Sequence, residues 1–187
     1  MGESGLFCDW TRPVIQPFGG ISPRIHPEAY IAGGVLILGD VWLGRDSNVW
    51  FGSILRGDVH YIRIGERTNI QDCCILHVSR GKWPLNMGDD ITVGHRVTLH
   101  GCTVHSRCLI GMGAVVLDGC EIGEGAVVGA GSVVAPGTVV PPRVLVMGVP
   151  AKVRRRVTDE EWEENTRIAG RYVEYARQYA REFGKGE

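Results

Sequence analysis

Residues 122–140 read IGEGAVVGAGSVVAPGTVV, with an aliphatic residue at every sixth position and a small residue four places after each of the first three. An amphipathic helix would repeat its apolar stripe every 3.6 residues, and glycine and β-branched residues favour other structures. The period of six therefore predicts short strands joined by turns, in which each hexapeptide forms one flat side of a prism.

The same period extends outward from this stretch over most of the chain. Glycine makes up 27 of the 187 residues, about twice its usual share. The repeat covers roughly residues 20 to 150, and we assign residues 21–152 to it, after an N-terminal segment of residues 1–20. The aliphatic position is occupied by Ile25, Ile31, Ile37, Leu43, Val49 and Leu55, then by Ile64, Ile70 and Leu76, then by Met87, Val93 and Leu99, and finally by Val104, Ile110, Val116, Ile122, Val128, Val134 and Val140.

The chain changes character after residue 157. Thr158 is followed by three acidic residues, of which Glu161 stands where a capping box requires a carboxylate. Aromatic and small residues then recur at helical spacing up to Phe183. We predict a helix over residues 158–184 that packs along the prism.

This pattern resembles the hexapeptide-repeat family, in which three hexapeptides form one 18-residue coil of triangular section. The resemblance implies an all-β fold: a left-handed parallel β-helix of about seven coils with a C-terminal α-helix packed along it. At a strand spacing of about 4.8 Å, the prism would be on the order of 33 Å tall.

Charge and composition exclude several partners. Twenty basic and 21 acidic residues give a net charge of −1, so no basic excess attracts nucleic acid or an anionic membrane. The N-terminus lacks a leader pattern, which predicts a cytoplasmic protein with reduced cysteines. Cys74, Cys108 and Cys120 fall at inward repeat positions, where a small thiol packs well.

The repeat register brings two histidines together. Met87 follows Leu76 by eleven positions instead of six, so we interpret RGKWP, residues 80–84, as a loop excluded from the prism. We name the side that starts at Leu76 side A, the next side B, and the side that starts at Val93 side C. His77 and His100 then share one outward column of side A, about 4.8 Å apart, which suits two ligands of one metal.

A third histidine, His95, falls on side C and reaches the other two only from a neighbouring subunit, if three-fold packing brings side A of one prism against side C of the next. If three extra residues are allowed between Leu55 and Ile64, Arg56 falls in the same outward column as His77, one coil earlier. Asp72 precedes His95 in its column, so an ion pair between Arg56 and Asp72 is expected across the interface.

The motifs RGD (residues 56–58) and NIQD (residues 69–72), followed by His77, His95 and His100, resemble the gamma-class carbonic anhydrases. The resemblance implies that the three histidines bind zinc, or iron or cobalt, with two ligands from one subunit of a homotrimer and one from its neighbour.

The same resemblance assigns roles to further residues. It implies that Gln71, with Asn69, holds the metal-bound hydroxide, and that Tyr172 of the C-terminal helix reaches toward the site. Arg56, Asp58 and Asp72 would organise the interface and support the ligands. His26, His60 and His105 match no motif and are interpreted as surface residues.

The implied activity is the reversible hydration of CO2 to bicarbonate by the metal-bound hydroxide. Val59 follows Asp58 and the loop contains no acid, whereas the well-studied family form carries proton-shuttling glutamates there, so we expect low or condition-dependent activity. Two alternatives stay open at this point: an acyltransferase or thioesterase acting on coenzyme A thioesters, and a non-catalytic assembly protein whose trimer is stapled by metal.

Overall fold

The computed structural model describes residues 11–183, which form a parallel β-solenoid of about seven turns followed by one helix. The predicted fold class is confirmed. The strands form two sheets. One sheet of twelve strands covers sides A and B, because two of its strands, β4 (Leu36–Leu43) and β6 (Ile54–Ile64), run around the corner between them. One sheet of eight strands covers side C.

The strands are short because each side of a coil has room for only a few extended residues. Sides A and B contain β1 (Val14–Gln16), β2 (Arg24–Ile25), β4 (Leu36–Leu43), β6 (Ile54–Ile64), β8 (Ile75–His77), β9 (Leu85–Met87), β11 (Thr98–His100), β12 (Thr103–Val104), β14 (Val115–Val116), β15 (Glu121–Ile122), β17 (Val133–Val134) and β18 (Val139–Val140). Side C contains β3 (Tyr30–Ile31), β5 (Asn48–Val49), β7 (Asn69–Ile70), β10 (Thr92–Val93), β13 (Leu109–Ile110), β16 (Val127–Val128), β19 (Val144–Gly148) and β20 (Ala151–Arg156).

Two interruptions of the repeat lie where the sequence predicted them. The pairing of β4 with β6 shifts between Gly57 and Ile62, which accommodates the three extra residues. Between β8 and β9, the loop of residues 78–84 leaves the prism after the buried Val78 and is closed by a bridge from Ser79 to Trp83. Both interruptions adjoin the corner between sides A and B.

The interior is a stack of aliphatic side chains in parallel register. On side A, Leu55, Leu76, Leu99 and Val116 lie directly above one another and are completely buried. Burying one such side chain stabilises the fold by about 1.5–3 kcal/mol. Cys74, Cys108 and Cys120 are buried as predicted, and the cysteines of the described residues are free.

The helix α1 (Asp159–Phe183) begins one residue after its predicted cap. Thr158 Oγ1 accepts a hydrogen bond from the Glu161 amide at 3.2 Å, and Glu161 accepts one from the Thr158 amide at 3.0 Å, which confirms the capping box. The helix lies against the side C strands β3, β5, β7 and β10, and Arg177 pairs with Asp46. This placement brings the aromatic face of α1 to the side that carries His95.

The solenoid begins and ends differently from the repeat pattern. Strand β1 pairs in parallel with β4 ahead of residue 21, and β20 closes the last coil by pairing antiparallel to β19. No helix of the described chain is long and apolar enough to cross a membrane. The predicted cytoplasmic placement depends on residues 1–10, which lie outside the described residues, and stays a prediction.

Candidate metal centre

Two histidines lie side by side on side A. His77 ends β8 and His100 ends β11, and the two are paired in register, as the column predicted. Their ring centroids are 5.0 Å apart, and His77 Nδ1 lies 3.1 Å from His100 Nε2. One 23-residue coil therefore places two imidazole nitrogens face to face.

Each of these rings contacts a carboxylate through its other nitrogen. His77 Nε2 lies 3.1 Å from Asp58 Oδ1, and His100 Nδ1 lies 2.8 Å from Asp118 Oδ1. A carboxylate accepts hydrogen bonds, so each ring carries its proton on the nitrogen that faces the carboxylate. The two nitrogens that face each other then both present lone pairs, an arrangement that repels unless a cation or a proton lies between them.

The partly buried surroundings of His77 favour its neutral form. Partial burial, helped by the positive charge of Arg56, lowers the pKa of His77 despite the opposing effect of Asp58. Partial burial alone would raise the pKa of Asp58, but hydrogen bonds from His77 and Arg56 outweigh it and lower that pKa. A neutral imidazole is the form that binds metal.

Asp118 was not among the residues selected from the sequence. It lies in the next coil, where Leu99 pairs with Val116, so the register places Leu117 and not Asp118 in the column of His100. Column counting from His100 therefore gives no signal for Asp118. Asp118 also lies outside the RGD and NIQD motifs, so the sequence does not single it out.

Side C carries the third histidine. His95 Nδ1 lies 2.7 Å from Asp72 Oδ2, and the two residues share the column that the register predicted for them. His95 is about two-fifths exposed, so Nε2 with its lone pair is available at the surface. Asp72 thus has a partner inside its own chain.

Next to Asp72, a short chain of hydrogen bonds orients Gln71. Its Nε2 donates to Asn69 Oδ1 at 3.2 Å, and Asn69 Nδ2 donates to Thr92 Oγ1 at 2.9 Å. Both amides are buried. Because Nε2 is directed at Asn69, the carbonyl oxygen of Gln71 is the end left to accept a hydrogen bond from a hydroxyl group.

Tyr172 approaches the same half of the site from α1. Its ring packs against Trp50 at a centroid distance of 5.7 Å. Burial, together with the negative charge of Asp72, raises the pKa of Tyr172. The phenol therefore keeps its proton near neutral pH and is able to donate a hydrogen bond.

The predicted residues thus form two groups on different sides of the prism. Arg56, Asp58, His77 and His100 are on side A, where Arg56 pairs with Asp58. Asn69, Gln71, Asp72, His95 and Tyr172 are on side C or face it. Among residues 11–183, no hydrogen bond or ion pair joins the two groups, and no three histidine, cysteine or acidic side chains of the single chain are placed to hold a metal. The expected contact of Arg56 with Asp72 between subunits stays a prediction.

The side A group nevertheless fits a divalent ion. Two nitrogens bound to one tetrahedral zinc at about 2.0–2.1 Å lie about 3.3–3.4 Å apart. The observed 3.1 Å between His77 Nδ1 and His100 Nε2 is close to that separation. The donor set is suitable too, because imidazole is a common zinc ligand and each ring has the carboxylate partner that ligating histidines usually have.

The other three histidines lie away from both groups. His105 is exposed and pairs with Glu121 at 2.8 Å on side B, as expected of a surface residue. His26 and His60 are half-buried, and each accepts a hydrogen bond from a nearby backbone amide. All three are exposed or partly exposed, which agrees with their interpretation as surface residues.

Comparisons with known proteins show the family to which the chain belongs. The model of the family "Bacterial transferase hexapeptide (six repeats)" matches residues 101–136. A Geobacillus kaustophilus protein named carbonic anhydrase is 49% identical over 166 residues, which cover 89% of this chain and 91% of that protein. "Gamma carbonic anhydrase 1, mitochondrial" of Arabidopsis thaliana is 38% identical over 88% of this chain and 62% of its own length. The chain belongs to the gamma-class carbonic anhydrase family.

Solved structures place the same fold in proteins with other names. The crystal structure of a "hexapeptide transferase family protein" from Anaplasma phagocytophilum is 38% identical, with a TM-score of 0.84 over 89% of this chain and 98% of that one. An N-acyltransferase from Bacillus cereus is 18% identical with a TM-score of 0.59, which shows a shared fold alone. Gamma-class carbonic anhydrase relatives and transferases thus share one architecture.

Proposed function

We propose that this protein is a metal-dependent carbonic anhydrase that interconverts CO2 and bicarbonate at sites between the subunits of a homotrimer. One observation carries the proposal: a ring nitrogen of His77 and one of His100 face each other 3.1 Å apart, and the other nitrogen of each ring contacts a carboxylate. A pair of lone pairs at that distance is suited to a shared cation. We propose zinc, or iron or cobalt, as that ion.

The proposal requires the two groups to meet. A cyclic trimer that packs side A of one prism against side C of the next would bring His95 of one subunit to His77 and His100 of another. The free Nε2 of His95 would then complete a set of three neutral imidazoles. Arg56 and Asp72, which are both at least one-third exposed in the single chain, would become neighbours across the contact.

A divalent ion held by the three histidines would supply a water acidic enough to act as hydroxide near neutral pH. The residues of the chain do the rest. Asn69 holds the Gln71 amide so that its oxygen would accept a hydrogen bond from the attacking hydroxyl group, which would direct a lone pair of that group at CO2. Tyr172 offers a protonated phenol from the other side, where it can orient CO2 or the oxygen of bicarbonate.

Proton release is expected to limit the rate. The segment after Asp58 begins with Val59, and residues 78–84 include Arg80 and Lys82 but no acid. Without a carboxylate of suitable pKa, protons leave the site to buffer only slowly. We therefore propose a hydration rate that rises strongly with buffer concentration.

A second candidate is a transferase or thioesterase acting on coenzyme A thioesters, favoured by the solved relative described as a hexapeptide transferase family protein. Such an enzyme would use a histidine base and need no stoichiometric metal. The two proposals therefore differ in the metal content that they predict. A third candidate is a non-catalytic trimer held together by metal. Like the carbonic anhydrase it would bind metal, but it would not hydrate CO2.

The deciding experiment combines three measurements on protein purified without oxygen: native mass, metal per chain and CO2 hydration with increasing buffer. The proposal predicts a trimer, about one divalent ion per chain and buffer-dependent hydration. A metal-free trimer that hydrolyses acetyl coenzyme A would favour the second candidate. A metal-loaded trimer with no hydration at any buffer concentration would favour the third.

A further inference from the structure

The loop of residues 78–84 contacts the metal centre through one carboxylate. Ser79 Oγ donates to Asp118 Oδ1 at 3.0 Å, and the same oxygen lies 2.8 Å from His100 Nδ1. Asp118 belongs to neither the RGD nor the NIQD motif and lies one coil below the two side A histidines. It thus links the loop to a single histidine of the proposed ligand set.

The surroundings of Asp118 leave it little freedom. The Asp118 carboxylate and Trp83 both lie against Gly101, so closely that a Cβ at Gly101 would collide with both. The ring of Trp83 covers Gly119, 3.0 Å from where a Cβ would be. Both glycines have positive φ, of 55° and 69°, which glycine adopts without strain. The loop is therefore packed onto the corner of the prism above the carboxylate.

We propose that Asp118 is a positioning residue: held by Ser79 of the loop, it keeps the His100 proton on Nδ1 and so presents Nε2 to the metal. An imidazole without such a partner distributes its proton between both nitrogens and rotates more freely, which weakens metal binding. The inference rests on the metal site of the proposed function. It gives the loop, which lacks the family's acids, a structural task in that site.

Asp118→Asn tests the proposal with almost no change of shape. The amide can donate to Nδ1 as well as accept from it, so the preference for the Nδ1 proton is lost. We expect zinc or cobalt to bind about 10–100-fold more weakly in competition with a chelator, and the visible spectrum of the cobalt form to change. Ser79→Ala removes only the hydrogen bond that supports the carboxylate. It should also weaken metal binding, but by less than Asp118→Asn.

Glu121→Gln is the matched control. It alters the carboxylate of another histidine pair, His105 with Glu121, also at 2.8 Å but on side B. Metal affinity and the cobalt spectrum should be those of the wild type. The midpoint of thermal unfolding and the native mass of all three variants show whether the fold is intact.

A second readout needs neither metal nor activity. Nitrogen-15 NMR of the metal-free wild type should show His100 with its proton on Nδ1, and Asp118→Asn should show a mixture of tautomers. A wild-type His100 protonated on Nε2, or a folded Asp118→Asn variant with unchanged metal affinity and spectrum, would overturn the inference. If the wild type bound no metal, the proposed function would fail, and the tautomer measurement would still decide the role of Asp118.

Discussion

The coils of residues 101–140 and those of residues 54–100 are built from one repeat but differ in regularity. In the first region, the strands follow one another without insertion, each with two residues, and the family model matches here. In the second region, extra residues interrupt the repeat twice, after Gly57 and after His77. The proposed metal ligands and most of their partners belong to the interrupted region.

The difference separates stability from function. Regular coils gain free energy from stacked aliphatic side chains and carry few polar groups that need a partner. Each interruption lowers the stabilisation from stacked side chains, but it places a strand end or a loop next to the outward histidines. The carboxylates Asp58 and Asp118 illustrate this, since Asp58 lies at the first interruption and Asp118 is held by the loop of the second. We expect substitutions in the two regions to affect different quantities.

The largest effect should come from the core of the regular coils. Ile122→Ala removes a completely buried side chain and should lower the free energy of unfolding by about 2–5 kcal/mol. The metal content of the folded protein should not change. Leu99→Ala, equally buried but next to His100, should lower both. Denaturant unfolding and metal analysis of the folded fraction check this, and metal loss in Ile122→Ala equal to that in Leu99→Ala would remove the distinction between the regions.

Two histidines five residues apart provide the next test. His100→Ala should weaken metal binding by more than the roughly 100-fold typical of losing an outer partner, because a ligand is lost. His105 lies on side B, where the regular coils begin, so the His105→Ala variant should keep its metal. Metal titration of both variants is the measurement. Similar losses from both would mean that the columns are assigned wrongly.

A smaller effect is expected at the proposed interface. Arg56→Ala should weaken the trimer by about 1–2 kcal/mol, because the half-exposed guanidinium limits what the ion pairs contribute. Gln71→Ala should keep trimer and metal but slow hydration, because the amide orients the nucleophile. Sedimentation over a concentration series, with metal and rate measured in parallel, separates the two roles. The reverse pattern would exchange interface and catalytic assignments.

The smallest effect is a pH dependence at the first interruption. The pKa of Asp58 is lowered in the folded chain from its ordinary value of 3.8. Its stabilising contribution is therefore complete above that value and is lost as the pH falls through the folded pKa. Metal-free wild type should lose stability more steeply below about pH 4 than Asp58→Asn does. Parallel acid unfolding curves would contradict the ion pair with Arg56.

The sequence predicted the fold because the hexapeptide period records which side chains enter the prism. Column counting placed His77 beside His100 and His95 beside Asp72, and both placements agree with the strand register. The capping box predicted the start of α1 because helix backbone geometry sets the spacing between Thr158 and Glu161.

Other features follow from contacts that no local pattern records. Strand β20 has the sequence AKVRRR, which lacks the repeat, and it becomes a strand because β19 offers an edge for antiparallel pairing. The contact of Arg56 with Asp58 depends on how the extra residues bend at the corner. Asp118 became recognisable only when Ser79 and His100 were both seen on one of its oxygens.

The central claim, that His95 of one subunit completes the site of another, can be tested by mixing two inactive variants. His95→Ala and His100→Ala should each form trimers with little metal. In trimers reassembled from equal amounts of both, each mixed trimer contains one interface with all three histidines, so metal and hydration should return to about a quarter of the wild-type values. A mixture of His77→Ala and His100→Ala should restore nothing, because those two ligands must come from the same chain. Recovery only in the first mixture is the predicted result, and no recovery in verified mixed trimers, or equal recovery in both mixtures, would contradict the shared site.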